Sequence, residues 1–405
     1  MDWRLGALRS RIPPSPGAEV VIAGDWAPIR DFADIIDSDA EAVYGDLLPR
    51  LREADLRIVN LECPLADCGT PMVKSGTVLR GNPGHIKGLT AVPFEAAALG
   101  NNHVFDYGVA AFEQTCDLLA AHRIRHLGAG LSAKAAWKPL VMDIRGLRIG
   151  IVNFSEGEDL TAARADRPGV AGWEIERVAA IITELRPLVD GLIAICHGGL
   201  EYIPFPPPYV AEALQRVAAA GADLVIGHHP HVPQGVAIHG GVPICYSLGN
   251  FVFFQPTDLL YRKIGYLVKA RFTSRGLAGL NIVPYEILNP GLALLTGRKH
   301  HWFLKQLAAL SAPLADFDRL TRAWHGFLDY CGQDGLSAEV GGILRQLEQD
   351  PAKGAAMLRN RLTTRQHRHH WLDMLTRLMA GQLNTGPKWA RSWAETYFTC
   401  KSWPF

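Results

Sequence analysis

Five short segments of the sequence place side chains that can bind metal ions directly after apolar runs. These side chains belong to Asp25, Glu62, the run Asn101, Asn102 and His103, His197, and the series His228, His229 and His231. Carboxylate, amide and imidazole groups suit first-row divalent ions such as Mn, Fe or Zn. Each segment alone has a simpler interpretation, because an Asp after a Gly begins many turns and a lone His is more often a hydrogen-bonded core residue. The five together predict a metal centre with two divalent ions and no organic cofactor.

The apolar runs that precede these residues are typical of buried strands. Between residues 19 and 249 they read EVVIAG, LRIVN, FEAAALG, LRIGIVNF, GLIAIC and ADLVIG. The stretches GVAAFEQTCDLLAAHRI and YVAEALQRVAAAGA have apolar residues at the spacing of helices that cover a sheet. Because ligands of open α/β sheets bind at the carboxyl ends of the strands, we expect the five segments to meet at one rim.

The character of the chain changes twice after residue 234. Residues 234–288 contain alternating strands with Gly turns, which indicates antiparallel hairpins packed on or beside the first sheet. Residues 291–405 have a helical pattern and include the basic, His-rich stretch RQHRHHWLDMLTRLM, which we interpret as a solvated helix face or, alternatively, as a contact surface for an acidic peptide. We therefore divide the chain into an N-terminal lead (1–18), an α/β domain (19–290) and a helical C-terminal appendage (291–405).

Composition excludes several classes of protein. The 405 residues are 48% hydrophobic and 20% charged, which is too apolar for a disordered chain. The 41 basic and 40 acidic residues create no overall field that would attract nucleic acid or an anionic membrane. Seven cysteines without a C-x-x-C pair favour a reducing compartment, and we recognise neither an export signal nor a transmembrane segment. We expect a soluble, cytoplasmic protein without a nucleic-acid partner, and the oligomeric state stays open.

Six stretches, taken in order, resemble one known family. They are GD at Asp25, NLECPL around Glu62, NNHVFDYG from Asn101, HGGLEY from His197, IGHHPHVPQ from Gly227 and YSLGNFVF from Tyr246. The sequence resembles the CapA or PgsA family of capsule and poly-γ-glutamate biosynthesis proteins, which is similar to the calcineurin-like metallophosphoesterases. The resemblance spans about residues 19–255 and implies an α/β fold, a metallophosphoesterase-like mixed β-sandwich flanked by helices, to which the helical appendage is added.

The resemblance also implies a role for each predicted ligand. One metal ion would be held by Asp25 and His231, the other by Asn102, His197 and His229, with Glu62 as the bridge and His103 facing the substrate. Phosphoesterases have Asp-x-His in the first motif, whereas Ala27 stands at the His position here. The bridging Glu62 is also longer than the usual Asp, which changes the metal separation that in-line phosphoryl displacement needs. Both departures argue against phosphatase activity.

Two acidic residues are candidates for the catalytic pocket. Asp106, three residues after His103, is predicted to orient or charge that imidazole if the segment begins a helix, and a helix N-cap is the alternative. Glu201, four residues after His197, is a candidate acid or base, or a partner of a metal-bound His.

Three basic residues are candidates for contact with the substrate. Arg80 is predicted to clamp a carboxylate or phosphate, and an ordinary surface Arg is the alternative. His300 and His301 are predicted to enter the rim from the appendage, His300 as a substrate contact and His301 as a catalytic group. A structural or solvated start of a helix is the alternative for both.

The leading functional hypothesis is a metal-dependent enzyme that acts on a peptide or poly-γ-glutamate-type substrate, with hydrolysis as one reaction. A second hypothesis is a cofactor-independent peptide epimerase, an activity known for relatives that resemble this family in lasso-peptide maturation. In it two bases on opposite faces would exchange an α-proton, and the candidates are His103, Glu201 and one of His300 or His301. A third hypothesis is a non-catalytic accessory subunit for synthesis of a polyanionic chain, and a fourth is a phosphoesterase.

Overall fold

The computed structural model describes residues 1–9 and 16–405, and this part of the chain contains 17 strands. The strands are β1 (Ala7–Arg9), β2 (Ala18–Ala27), β3 (Leu56–Leu61), β4 (Ala96–Ala98), β5 (Arg125–Leu127), β6 (Ala129–Gly130), β7 (Leu140–Ile144), β8 (Leu147–Ser155), β9 (Gly169–Val170), β10 (Gly191–His197), β11 (Leu224–His228), β12 (Val236–His239), β13 (Val242–Cys245), β14 (Asn250–Phe253), β15 (Ile264–Thr273), β16 (Gly276–Ile287) and β17 (Leu292–Leu294).

The same residues form 12 α-helices. They are α1 (Asp31–Ser38), α2 (Leu48–Arg52), α3 (Ile86–Ala91), α4 (Gly108–Ala121), α5 (Ala133–Ala136), α6 (Ile175–Leu185), α7 (Pro208–Ala219), α8 (Gly297–Ser311), α9 (Phe317–Gln349), α10 (Pro351–Thr363), α11 (Arg365–Met379) and α12 (Lys388–Thr399). Helix α9 is interrupted at Gly332, whose φ of 63° is readily adopted only by glycine. No helix in the described ranges is both long and apolar enough to cross a membrane.

Two large mixed sheets form the body of the molecule. The nine-stranded sheet has the order β1-β16-β15-β2-β3-β4-β5, with β14 paired to β2 and β17 to β16. The six-stranded sheet has the order β12-β13-β11-β10-β8-β7. Strands β2 to β5 run parallel in the first sheet, and β8, β10, β11 and β13 run parallel in the second. Two sets of parallel strands therefore supply the carboxyl ends that the sequence predicts to carry the site.

The hydrophobic pattern of β2 explains how the sheets are packed. Val20 and Ile22 belong to the core that also contains residues of the six-stranded sheet, such as Ile193. Val21, between them, belongs to a second core with α1, α3 and α4, where Phe32 is fully buried. Successive strand side chains point to opposite faces, so an uninterrupted apolar run is required when both faces are covered.

The C-terminal helices rest on the α/β body through a third core. Trp324 and Leu328 of α9 and Met374 of α11 pack there with Leu200 and Ile203, which follow β10. Two of these helices begin at capping aspartates: Asp316 Oδ1 accepts the hydrogen bond of the Arg319 amide, and Asp350 Oδ1 that of the Lys353 amide. The helical segment is thus folded onto the body.

The predicted fold class is confirmed: the chain is α/β, with mixed sheets flanked by helices and a helical C-terminal segment. The hairpins predicted in 234–288 are β12–β13 and β15–β16, both antiparallel. The division into three segments stays a prediction. Residues 10–15 of the predicted N-terminal lead lie outside the described residues. Strand β1 of that lead pairs with β16, and β17 extends the sheet to Leu294, beyond the predicted boundary at 290.

Candidate metal centre

Asp25 and Glu62 lie side by side because their strands are parallel neighbours. Asp25 of β2 is in register with Asn60 of β3, and Glu62 directly follows β3. The Asn60 side-chain amide donates to Asp25 Oδ1 at 2.8 Å and lies 3.2 Å from His197 Nδ1. Asn60 therefore connects the end of the nine-stranded sheet to the end of the six-stranded sheet.

The six-stranded sheet contributes imidazoles from two adjacent strands. His197 ends β10 and is in register with His228, which ends β11. His197 Nε2 lies 2.9 Å from Asn102 Oδ1 and 3.3 Å from Glu62 Oε1. His228 Nδ1 lies 3.1 Å from Asp25 Oδ1. The two sheets thus meet in one buried cluster of carboxylates, imidazoles and an amide.

The turn after β11 aims two further imidazoles at the cluster. His229 and His231 both have positive φ, 97° and 56°, an uncommon conformation for residues with a Cβ. His231 Nδ1 lies 2.9 Å from Asn250 Oδ1 and 3.3 Å from Asp25 Oδ2. Its Nε2 atom lies 3.6 Å from Glu62 Oε1. Strained backbone of this kind persists where surrounding structure holds it and is frequent at functional sites.

The six predicted ligands all lie in this one cluster, and proximity divides most of them into two sets. One set with ligand atoms within 4.8 Å of one another consists of Glu62, His229 and His231, and the other of Asp25, Glu62 and His197. Glu62 belongs to both sets, as a bridging ligand would. The predicted pair of Asp25 and His231 lies 3.3 Å apart, and the assignment of each ligand to one of two ions stays a prediction. The Glu62 carboxylate reaches imidazoles from both β10 and the turn after β11.

Burial and the charges of neighbouring groups shift the pKa values of several side chains in this cluster. Burial raises the pKa of Asp25, but hydrogen bonds and charges of His228 and His231 outweigh it and hold the pKa well below its usual range. Burial and the charge of Asp25 raise the pKa of Glu62 well above its usual range. Burial lowers the pKa of His231, yet the charge of Glu62 and the hydrogen bond with Asp25 raise it well above normal.

Two imidazoles are instead held neutral. Burial, with a contribution from the charge of His229, lowers the pKa of His197 well below its usual value. Burial also lowers the pKa of His229, against the opposing charges of Glu158 and Glu201. A metal ligand must present a neutral imidazole, so the lowered pKa values favour metal binding near neutral pH.

Several buried polar atoms of this cluster lack a hydrogen-bond partner in the described part of the chain, as expected where a divalent cation binds. Both carboxylate oxygens of Glu62 lack a hydrogen-bond partner among the described residues, as does His229 Nδ1. Such groups are costly to bury unless a hydrogen bond or a cation satisfies them. The donor set of carboxylates, imidazoles and an amide oxygen is the one that Mn, Fe or Zn accepts.

A second buried network lies beside the ligands. His103 Nδ1 lies 2.6 Å from Asp106 Oδ2, and Lys74 Nζ donates to Asp106 Oδ1 and to the Asn102 carbonyl, both at 2.8 Å. Burial raises the pKa of Asp106, but the charges of His103 and Lys74 outweigh it and lower the pKa. The predicted helix does not begin at this point, because residues 103–107 form a turn and α4 begins at Gly108.

A small cavity of about 190 Å³ joins the ligands and this network to solvent. Its lining includes Lys74, His103, Glu201, His231 and Arg30. Glu201 Oε1 lies 3.9 Å from His231 Nε2, and the side chain of Glu201 is 40% exposed. The predicted acid or base therefore stands at the mouth of the cavity.

The structure does not bring His300 and His301 to this cavity. His301 is exposed on α8, whose buried face, including Phe303 and Leu307, packs in the core between the sheets. Among the described residues, neither His belongs to the metal-binding groups or lines the cavity. The closeness of these histidines to the α/β domain in sequence did not predict where their side chains lie, because the apolar face of α8 determines how the helix is oriented.

Arg80 lies outside the metal cluster, in an adjoining cleft. Its guanidinium lies over the Tyr107 ring at 4.2 Å, and the cleft has a volume of about 410 Å³. Arg30, Thr77 and Leu79 line both this cleft and the metal cavity, so the two are neighbours. The predicted substrate contact is therefore one cleft away from the predicted ligands.

Several residues of the site were not identified from the sequence. Lys74 and Glu158 occur without a motif, and only burial beside the ligands identifies them. Gln366 lies in the basic stretch that we interpreted as solvated, yet its side chain is buried and reaches Glu158 and His229. His228 was visible in the series of histidines, and its contact with Asp25 shows it to be part of the cluster.

Fold and site together define an α/β protein with a buried cluster of potential metal ligands at the carboxyl ends of two sheets. The family model described as "Bacterial capsule synthesis protein PGA_cap" matches residues 19–255, a span that contains all six predicted ligands. The chain belongs to this family, as the resemblance predicted.

Three relatives of known description are similar to this chain. The PGA biosynthesis protein CapA of Bacillus subtilis is 28% identical over 61% of this chain and 66% of its own length. The capsule biosynthesis protein CapA of Bacillus anthracis is 26% identical over 66% of this chain and 67% of its own length. A "Probable polyglutamine synthesis accessory protein" of Mycobacterium tuberculosis is 30% identical over 52% of this chain and 59% of its own length. The chain thus spans about two thirds or less of these relatives.

Solved structures that are similar to this one include two nucleotidases. The NAD nucleotidase of Haemophilus influenzae has a TM-score of 0.40 at 14% identity, covering 76% of this chain and 59% of that one. A 5'-nucleotidase precursor of Thermus thermophilus has a TM-score of 0.43 at 15% identity, covering 74% of this chain and 59% of that one.

Proposed function

We propose that the protein is a metal-dependent enzyme that acts on a peptide or poly-γ-glutamate-type chain. The observation that carries the proposal is the buried Glu62 carboxylate, whose two oxygens have no hydrogen-bond partner within the described ranges and which lies among Asp25, His197 and His231. A divalent ion held by this set would polarise a carbonyl or carboxylate oxygen of the substrate. The substrate class is supported by relatives named for PGA biosynthesis and polyglutamine synthesis.

His103 is the proposed proton-transfer group. Its Nδ1 atom is occupied by Asp106, which leaves Nε2 to exchange a proton with a substrate in the cavity that His103 lines. Lys74 keeps Asp106 ionised and in place from the other side. A buried carboxylate thus orients the His103 base. The proposed role of His103 is the same whichever bond of the substrate changes.

The adjoining cleft is the proposed path of the chain. Arg30 and Arg80 line it, and neither has a carboxylate partner among residues 1–9 and 16–405. Arg30 is held with a positive φ of 55°, and its Nη1 donates to the Phe254 carbonyl at 2.6 Å. Two arginines with unoccupied donors would bind carboxylates of an acidic chain whose reacting group lies in the metal cavity.

A second candidate reaction is epimerisation at an α-carbon. The observation that favours it is that His103 and Glu201 line the same cavity of about 190 Å³. Exchange of an α-proton needs one group that removes it and another that returns a proton. His300 and His301 do not enter this version of the proposal, because the structure places them away from the cavity.

One experiment distinguishes these reactions. Protein freed of metal with a chelator and reloaded with Mn or Zn is incubated with poly-γ-glutamate and with peptides in deuterated buffer. Shorter products that depend on metal support hydrolysis, and deuterium at one α-position of an intact chain supports epimerisation. His229→Ala should abolish either reaction, and His122→Ala, at an exposed position of the surface, should not. Bound metal with neither product overturns both reactions in favour of an accessory role.

A further inference from the structure

Helices α10 and α11 are fastened to the loops that border the metal centre. Lys353 Nζ donates to the carbonyls of Lys74 and Gly76 at 2.9 and 2.8 Å. Asn360 donates to the hydroxyl of Ser75. These contacts join positions that are separated by 277 to 285 residues in sequence. The C-terminal helices therefore cover one side of the centre in a defined orientation.

At the start of α11, two side chains reach a single buried carboxylate. Gln366 Nε2 donates to Glu158 Oε1 at 2.5 Å, and His367 Nε2 lies 3.4 Å from the same oxygen. Gln366 is only 1% exposed, and its Nε2 also lies 3.1 Å from His229 Nε2. Helix α11 thus contacts one predicted ligand directly and holds the carboxylate next to another.

The other oxygen of Glu158 determines how the Asn102 amide is turned. Asn102 Nδ2 donates to Glu158 Oε2 at 2.9 Å. A carboxylate accepts hydrogen bonds, so the amide nitrogen must face it, and the amide oxygen must point the other way. That oxygen lies 2.9 Å from His197 Nε2, on the side of the predicted ligands. Amide orientation is the property that decides whether Asn102 can serve as an oxygen ligand.

We propose that Glu158 is a positioning residue of the metal centre and that the helical segment acts on the centre through it. Gln366 and His367 hold Glu158, and Glu158 directs the Asn102 oxygen to the metal. The matched family region ends at residue 255, so this contribution comes from a part of the chain that the family match does not include. The proposal rests on the metal centre of the proposed function and is independent of its substrate and reaction.

The test measures metal affinity rather than turnover. Full-length wild-type protein and Glu158→Gln are titrated with Co²⁺ against a chromophoric chelator, and the visible absorption spectrum of bound Co²⁺ is recorded. Loss of a residue that orients a metal ligand commonly lowers affinity by about 10- to 100-fold, and we expect this loss together with a changed spectrum. Gln366→Leu should shift affinity in the same direction. Glu348→Gln and Gln349→Leu, at exposed positions of α9, are the matched controls.

A double-mutant cycle shows whether Glu158 acts through Asn102. In an Asn102→Ala background, Glu158→Gln should cause little further loss of affinity. Equal affinity and spectrum in wild type and a folded Glu158→Gln variant would overturn the proposal, as would fully additive losses in the cycle. If Glu158→Gln does not fold, Gln366→Leu and His367→Ala decide, and unchanged affinity in both counts against it. A wild-type protein that binds no divalent ion would overturn the proposed function as well.

Discussion

His103 Nδ1 and Asp106 Oδ2 are 2.6 Å apart in a hydrogen bond between two buried side chains. The other oxygen of Asp106 accepts a hydrogen bond from the buried Lys74 at 2.8 Å. An imidazole, a carboxylate and an ammonium group thus form one chain of contacts at the wall of the cavity that also contains the predicted metal ligands.

Replacing Asp106 by Asn should lower the activity at least about 10-fold, because the variant loses the buried carboxylate that orients the His103 ring. It should also change the pH dependence of stability. The pKa of Asp106 lies below its ordinary value of 3.8, so its stabilisation is complete above pH 3.8 and is lost as the pH falls through the lower folded-state pKa. Urea unfolding between pH 5 and pH 3 should show a smaller loss in the variant. An equal loss in both proteins would contradict the assignment.

Replacing Lys74 by Met should lower the free energy of unfolding by about 3–5 kcal/mol, because it leaves the Asp106 carboxylate buried without its ammonium partner. Lys74 is only 2% exposed, so its ion pair with Asp106 is a buried one. Lys138→Met, at an exposed position, is the matched control and should change stability little. Urea unfolding midpoints measure both. Restoration of stability by a second change, Asp106→Leu, would identify the unpaired charge as the cause.

Replacing Glu62 by Gln should have opposite effects with and without metal. In the metal-free protein, burial and the charge of Asp25 raise the pKa of Glu62, so removal of its charge should raise the melting temperature near neutral pH. The wild-type protein should gain stability when Mn²⁺ or Zn²⁺ is added, and the variant should gain much less. Calorimetry with and without chelator measures both effects, with Glu53→Gln as an exposed control. Equal metal-induced stabilisation would exclude Glu62 as a ligand.

Glu156 should make the protein less stable as the pH rises. Burial raises its pKa from 4.5 to about 7, although the Gly199 amide and the Tyr209 hydroxyl donate to it. Because the folded-state pKa is the higher one, the folded protein binds an extra proton between these values, and the free energy of unfolding falls as the pH rises from 4.5 to 7. Glu156→Gln should remove this part of the dependence. The difference between the two proteins in urea unfolding at pH 5 and pH 7.5 measures it.

Arg30→Ala and Arg80→Ala should each weaken binding of poly-γ-glutamate, and the double variant should weaken it further. The two guanidinium groups line the cleft that adjoins the metal cavity, and their contribution to binding should decrease with added salt. Fluorescence anisotropy with a labelled chain, at low and moderate ionic strength, measures the affinity. Arg50→Ala, at an exposed position of α2, is the control. A double variant with unchanged affinity would remove the cleft from the proposed path.

Much of the fold and most of the ligand cluster follow from sequence alone. The apolar runs have the length of strands and are bounded by Gly, Asn and Asp. They therefore predict strands such as β2 and β10. Neighbouring parallel strands place their carboxyl ends together, so Asp25 and Glu62 are expected to meet, whereas His197 joins them only because the two sheets pack against each other. The local sequence determines these positions because each ligand directly follows, or lies within, its own strand.

Tertiary structure alone decided what surrounds the ligands. Glu158 and Gln366 are 208 residues apart, and no local pattern relates them, since their contact depends on how α11 docks over the body. Docking also turned α8 so that His301 faces solvent instead of the cavity. Strand position is set by short-range hydrophobic periodicity, whereas the docking of a helix is set by the sum of many weak, distant contacts. The ligand cluster could therefore be predicted from the sequence, whereas the residues that orient and cover it could not.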